Sequence, residues 1–479
     1  MSGLLIGDVF RNAARAAPQR VAAVHGDRSL TFADVDDTSD GIARILLHSY
    51  GIDRGARVAV WTGTTLDCVP LFAALAKLGA VFVPLAGNLE SSKLQAAIAQ
   101  ARPQLLVVDA QHAVAAGFLD VPTVLIDSLR SDPTDTRITL DVLETDPHVI
   151  FFTSGSTGQP KGVVLSHRVN YLRTHPGAQV EPRGKLICVY PLFHMAAWTL
   201  SLQQWQARDT VVYLDRTDGV AIADAVRGHL ATRINAVPAV WQRVLDHLGT
   251  DGRLPTLRFA DTGTSATSPS LLAHIATACP NATLRVYYGS TEAGNVASLD
   301  GDDVFTRPGS CGVPSTGADV RVTDDGELCV RGPLLFDEYF EDRDATAVAL
   351  VDGWYHSGDT ARVDDDGYLY ITGRLGELIR TGGEAVAPAE VEAVLAELAT
   401  IREVAIVGVP DEQWGEVVCA VVVPTDPDTP PTLEDLRAHC AGRLATFKHP
   451  RLLHIYTALP RTPATGQVRR GQLVSEVRA

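Results

Sequence analysis

Residues 151–162 read Phe-Phe-Thr-Ser-Gly-Ser-Thr-Gly-Gln-Pro-Lys-Gly. An apolar run from His148 to Phe152 leads into a loop that carries hydroxyls on Thr153, Ser154, Ser156 and Thr157 and glycines at Gly155 and Gly158, with Lys161 just beyond. Glycines let backbone amides approach an anion closely, hydroxyls add donors, and the ammonium adds charge. That is the chemistry of a polyphosphate cradle. It is not the G-x-x-x-x-G-K-[ST] loop, because Gln159, Pro160 and Lys161 follow Gly158. An ordinary Ser/Gly surface turn has no need of this many donors after a buried strand.

Four further segments carry groups suited to a nucleotide or an acid. Tyr287-Tyr288-Gly289-Ser290-Thr291-Glu292 offers an aromatic ring, a hydroxyl and a carboxylate; a hard divalent cation prefers carboxylate and phosphate oxygens. Gly353-Trp354-Tyr355-His356-Ser357-Gly358-Asp359 ends on a carboxylate that can accept from the two hydroxyls of a ribose. Pro191-Leu192-Phe193-His194-Met195 places one histidine in an apolar run, and Asp261-Thr262-Gly263-Thr264-Ser265-Ala266 is a small polar loop. Each has a plain alternative when taken singly: a helix cap for Ser290-Thr291-Glu292, a turn aspartate for Asp359, a satisfied core histidine for His194. Their joint presence and order lift the functional reading.

Taken together, these segments resemble the adenylate-forming superfamily, which includes acyl-CoA synthetases, adenylation domains of peptide synthetases and luciferases. The resemblance runs over almost the whole chain. It implies that Thr153, Ser154, Gly155, Ser156, Thr157, Gly158 and Lys161 hold the ATP phosphates. Tyr288 would stack on adenine, Gly289 and Ser290 would also border the nucleotide, and Thr291 would reach the α-phosphate. Glu292, with Thr157, would hold Mg²⁺. Asp359 would anchor the ribose, with Arg374 on ribose or phosphate. Gly263 and Thr264 occupy the adenine-side loop. His194 would sit by the forming adenylate, and Trp198 and Val237 would line the acid pocket. Thr381-Gly382-Gly383-Glu384 matches the loop that shapes the acceptor tunnel, so Gly382 and Gly383 are assigned there. The implied activity is ATP-dependent, AMP-forming activation of a carboxylic acid, followed by transfer to the thiol of CoA. A carrier-protein thiol or an amine as acceptor is the alternative.

The chain departs from the family at two places. Leu459-Pro460-Arg461-Thr462-Pro463-Ala464-Thr465-Gly466-Gln467 matches the terminal motif, but Gln467 stands where the family has its adenylation lysine. Losing one preorganised donor at developing charge costs roughly 2.7–4 kcal/mol. Gln467 is engineered, or natural with another cation compensating (Arg469 is the candidate, on the same face if the strand is extended), or the mark of an adenylation-impaired protein that mainly binds nucleotide or acyl-adenylate. The last is disfavoured by the other motif residues. The family's hinge residue is Gly376, which leaves rotation free.

The elements that must position these groups are legible in outline. The 479 residues, 46% hydrophobic and 20% charged, are a globular composition too long for one core. Buried strands are expected at 57–63, 80–85, 104–110 and 123–127, alternating with helices, so a layered α/β domain with largely parallel sheet is expected. After residue 374 the character changes: strands at 403–410 and 416–424, helices at about 388–398 and 432–445. The expected organisation is a large N-terminal domain, 1–374, of α/β subdomains plus a small β-rich part, and a small mobile α+β lid, 375–479. Val69 to Ala86 is nearly all apolar, yet Lys77, Gly79 and Pro84 punctuate it; it reads as a buried helix, a turn and a strand, with no membrane span. The net charge of −16 argues against nucleic acid as a partner. Seven cysteines without C-x-x-C spacing, and no secretory pattern at the start, fit a reducing cytoplasm.

Overall fold

The structure of the protein is a computed structural model that describes residues 3–87, 91–130, 138, 140–154, 160–180, 184–461 and 468–478. Among the described residues the chain builds four sheets. The four strands expected near the N-terminus form at Arg57–Trp61, Val81–Pro84, Leu105–Val108 and Thr123–Leu125. They lie side by side, parallel, in a seven-stranded sheet. Its other edge is a long antiparallel hairpin, Pro147–Ser154 against Pro160–Ser166, capped by the short strand Glu338–Tyr339. Valine and leucine dominate these strands because helices cover both faces.

A nine-stranded sheet follows. Six parallel strands (Val21–His25, Thr210–Tyr213, Lys185–Cys188, Arg233–Asn235, Phe259–Gly263, Thr283–Ser290) form its body, with antiparallel strands at both edges. One continuous core joins the two sheets, and helix Cys68–Leu78, buried at all eleven positions, lies within it. The apolar run from Val69 therefore folds as a buried helix, a left-handed Gly79 that ends it, and the strand Val81–Pro84. No described helix is long and apolar enough to cross a membrane.

A five-stranded antiparallel sheet (Asp319–Val322, Glu327–Arg331, Leu350–Val351, Trp354–Val363, Leu369–Arg374) leads to the last unit. There the hairpin Ile401–Asp411 and Gly415–Pro424 alternates its side chains between two separate cores. Ile406, Val418 and Val422 face helices Pro388–Leu395 and Leu433–Cys440; Ala405, Val407 and Val421 face helix Arg470–Val477. Both expected helices form, shorter at their C-terminal ends than their apolar patterns suggest. The terminal helix has no counterpart among the elements expected from the sequence. All seven cysteines are free thiols.

Lys77 is buried inside the large core. Its ammonium donates to the carboxylates of Asp36 (2.5 Å) and Asp40 (2.9 Å) and to the Asp36 carbonyl (2.9 Å), all on helix Phe32–Tyr50. Removing the shared cation strands two buried carboxylates beside each other. Lys77→Met is expected to cost about 3–5 kcal/mol in denaturant unfolding at neutral pH. An unchanged unfolding midpoint would show the triad to be solvated.

Candidate active site

The candidate residues come together at the C-terminal ends of the parallel strands, around a cleft of about 3280 Å³. Lys161 opens the second strand of the hairpin, directly across from Thr153, whose hydroxyl reaches the Lys161 carbonyl at 3.4 Å. Its ammonium lies 4.7 Å from the centre of the Tyr339 ring, and the Tyr339 hydroxyl donates to Glu292 Oε1 at 3.0 Å. The hairpin and the Thr291-Glu292 turn thus meet across one buried tyrosine. Burial first, and then the Glu292 carboxylate, push that phenol well above its ordinary value, so it stays a donor.

The turn is braced from behind. Arg173, on helix His167–Val180, donates to the carbonyls of Thr291 (2.9 Å), Glu292 (2.8 Å) and Leu334 (2.7 and 2.8 Å). Burial lowers its guanidinium to about 10, which leaves it a cation at neutral pH. The hairpin before the turn is tight: a Cβ on Gly289 would stand 2.0 Å from the Gly294 carbonyl oxygen, so no larger residue fits. Ser290 accepts from the Ala293 amide at 3.0 Å and closes the turn.

Asp359 is buried between two segments distant in sequence. Tyr288 donates its hydroxyl to Oδ2 at 2.5 Å, and Arg374 meets Oδ1 at 2.8 Å from the register position opposite. Burial pushes the Asp359 carboxyl up, while Arg374 and Tyr288 pull the other way. Behind it, Glu327 accepts from the Gly358 amide (2.9 Å) and pairs with His356 Nδ1 (2.7 Å).

His194 caps helix Met195–Gln206. Its Nδ1 accepts from the Ala196 amide at 3.1 Å, which leaves the proton on Nε2. Burial drops the imidazole to about 4, so it is a neutral donor. Val237, just ahead of helix Pro238–Leu248, also lines the cleft. Thr264 follows strand Phe259–Gly263 in a left-handed conformation (φ +64°), rare for a β-branched residue.

Two sequence profiles match this chain: AMP-binding enzyme over residues 10–340 and AMP-binding enzyme C-terminal domain over 390–465. The chain belongs to the AMP-binding enzymes. It is 34% identical to a feruloyl-CoA synthase from Amycolatopsis sp, over 96% of each chain. Its fold is similar to that of the o-succinylbenzoate CoA synthetase MenE from Bacillus subtilis, solved with an acyl-adenylate (25% identity, TM-score 0.87, 97% of each chain). It is also similar to the amide bond synthetase McbA from Marinactinospora thermotolerans (27% identity, TM-score 0.89, 98% of this chain and 99% of that one).

Not every candidate falls in the cleft of this AMP-binding enzyme. Trp198 is a correction. Its indole stacks on Phe72 at 4.3 Å and donates to the Leu192 carbonyl, deep in the core and away from the acid pocket. Its helix turns Ala196, Thr199, Leu200 and Gln203 to the cleft instead. Asp261 is likewise structural, held by Arg233 (3.1 Å) and Arg285 (2.7 Å) beneath the adenine-side loop. Gly382 and Gly383 form the turn between strands Ile379–Thr381 and Glu384–Val386, both at positive φ, with Gly382 against Trp414; neither lines the cleft. Arg469 does line it, but it immediately precedes the terminal helix and is not on an extended strand. The Ser154 side chain, Gly155, Ser156, Thr157, Gly158 and Gln467 lie outside the described residues.

Arg173 and Tyr339 do not stand out in the sequence, where each is one arginine or tyrosine among many. Lysine offers one ammonium where the Arg173 fork spans three carbonyls. Arg173→Lys should therefore lower unfolding stability by roughly 1–3 kcal/mol with an unchanged denaturant slope. A midpoint equal to the parent's would mean that water replaces the fork.

Proposed function

We propose that the protein activates a carboxylic acid with ATP, releasing pyrophosphate, and passes the acyl group to the thiol of CoA. The observation that carries this reading is that Lys161, Glu292 and the Asp359–Arg374 pair, drawn from distant parts of the chain, line one cleft. In the first step an acid oxygen attacks the α-phosphorus and pyrophosphate leaves. In the second the CoA sulfur attacks the acyl carbonyl and AMP leaves. Lys161 and the loop from Thr153 hold the phosphates. Tyr288 and the adenine-side Gly263 and Thr264 border the base, and Asp359 and Arg374 fix the ribose. Neutral His194 offers its Nε2 hydrogen to the acid carboxylate or the adenylate, with Val237 on the pocket wall.

Glu292 suits Mg²⁺: one carboxylate oxygen takes the Tyr339 hydroxyl, and the other can join substrate phosphates around a hard cation. When bound, that ion would neutralise charge on the triphosphate. We assign residues 1–374 to the nucleotide and acid and 375–479 to the lid, with Gly382 and Gly383 reaching the acceptor tunnel after rotation about Gly376. The cytoplasm, which supplies ATP and CoA, is the assigned compartment.

Likeness to an amide bond synthetase keeps an amine acceptor as a second reading. Pyrophosphate release on mixing with ATP and a panel of acids, repeated with CoA and with amines, tests both. No release with any acid removes the ligase reading, and AMP release driven by amines but not CoA installs the second.

Two variants sharpen the test. Asp359→Ala should weaken ATP binding by roughly 3 kcal/mol in calorimetry, through two lost bonds to a charged acceptor; unchanged affinity would make Asp359 a turn former. Gln467→Lys should speed pyrophosphate release about 10² fold or more while barely changing thioester formation from supplied acyl-adenylate. A small gain, with Arg469→Ala abolishing adenylation, assigns the charge to Arg469. If both substitutions are harmless, the terminal motif does not serve the first step.

A further inference from the structure

The cleft carries two amide side chains, Gln203 and Asn235, and the fold fixes the orientation of Gln203. Helix Met195–Gln206 has two faces. Trp198, Ser201, Leu202 and Trp205 are buried in the core, whereas Ala196, Thr199, Leu200 and Gln203, at the helical spacing of one stripe, line the cleft. His194 caps the start of this stripe and Gln203 ends it, nine residues on and so about 13 Å along the axis.

Gln203 is half-buried, and its Oε1 accepts from Arg233 Nη1 at 2.6 Å. A guanidinium only donates, so oxygen and nitrogen of the amide are assigned by that contact. The two hydrogens of Gln203 Nε2 are left without an acceptor among the described residues. Arg233 is itself anchored by Asp261, so an overturned amide would set its NH2 against a guanidinium that is held in place.

Asn235 is a second amide in the cleft: its Oδ1 takes the Tyr190 hydroxyl at 2.7 Å, and its Nδ2 has no acceptor among the described residues. Asn235 is in register with Asp261, two residues or about 7 Å down the strand from Gly263. Gln203 thus stands at the far end of the helix from His194, while Asn235 is tied to Tyr190, whose ring stacks on His194 at 5.6 Å.

We propose that this pocket selects carboxylic acids that carry an oxygen acceptor (carbonyl, hydroxyl or alkoxy) at the end remote from the carboxylate, read by the amide nitrogens of Gln203 and Asn235. The inference rests on the acid-activating reading above. A hydrocarbon end would strip water from both amides and return no hydrogen bond, whereas an oxygen restores what water gave. Sites built to hydrogen-bond a substrate reject the analogue lacking that group far more strongly than apolar pockets reject an added methylene. Plain long-chain fatty acids are therefore poor substrates.

The test uses matched pairs: para-hydroxy- against para-methyl-phenylpropenoic acid, and a terminal methyl-ketone acid against its methylene analogue. With the full-length enzyme and ATP, kcat/KM from pyrophosphate release should favour the oxygenated member by about tenfold or more. Gln203→Leu should bring the ratio to within about threefold, mainly by loss of the oxygenated acid. Gln203→Glu keeps an oxygen for Arg233 but presents an acceptor in place of the donor. It should also lose the oxygenated acid, which answers any objection that the leucine variant misfolds. Equal use of both members by the parent, or a parental ratio in both variants, overturns the proposal. Calorimetric acid binding separates the two layers. Preference in binding without any pyrophosphate keeps the pocket and removes the ligase reading; pyrophosphate from both members alike does the reverse.

Discussion

A buried carboxylate must be met by donors wherever the fold puts it, and Asp359 imposes that demand on three parts of the chain at once. Tyr288 comes from the nine-stranded sheet, Arg374 from the last strand before the small C-terminal unit, and Glu327 supports the turn from behind through the Gly358 amide. The Arg374 guanidinium is half exposed, and as a surface pair it would contribute little. Its value lies in the burial of its partner: without Arg374 and Tyr288, Asp359 would be an unpaired charge in the interior. The register Asp359–Arg374, and with it the spacing between the large sheet and the approach to Gly376, follows from satisfying one side chain.

The same logic explains the other half of the cleft. The hairpin ending at Ser154 and the turn at Glu292 belong to different sheets, and no strand pairing among the described residues joins them. Tyr339 joins them instead, with its ring under the Lys161 ammonium and its hydroxyl on Glu292. A tyrosine can do this because its face attracts a cation while its edge donates to an anion. Opposite charges are thereby held near each other without closing into an ion pair that would occupy both groups. Arg173 fixes the turn through backbone carbonyls alone, so the Glu292 carboxylate stays directed at the cleft.

Much of this is legible in the sequence where a pattern has a physical period or a fixed spacing. Runs of β-branched and leucine residues mark the parallel strands, and the apolar run through Lys77 divides into a buried helix and a strand because Gly79 ends the one and Pro84 the other. Lys161, Glu292 and Asp359 are readable because each follows a turn dense in glycine and hydroxyls. Trp198 is misplaced when adjacency stands in for a shared surface. The spacing of Trp198, Ser201, Leu202 and Trp205 is itself a helical stripe, which assigns the tryptophan to the core and Gln203 to the cleft. Arg173 and Tyr339 carry no local signal: an arginine that serves carbonyls more than a hundred positions away looks like any other until the fold brings them together. Nor does a sequence show which atom of an amide is tied up, and that alone decides what Gln203 can read.

Arg470 ties the small C-terminal unit together. Arg470, at the start of the terminal helix, pairs with Glu392 on helix Pro388–Leu395 (2.5 and 3.0 Å), donates to the Ile406 carbonyl (2.8 Å) and reaches Glu377 (3.0 Å), the residue after Gly376. These contacts cross both cores of the unit and stop next to Gly376. An arginine pinned at three points cannot follow the N-terminal domain if the backbone turns at residue 376; it carries Glu377, the helix and the strand along together. A Cβ on Gly376 would meet nothing within 4 Å, so the chain is sterically open there, while Arg470 holds the residue that follows. Arg374 is held by Asp359 and Glu377 by Arg470: two ion pairs three residues apart, one on each side of a glycine, each tying the chain to a different part of the fold.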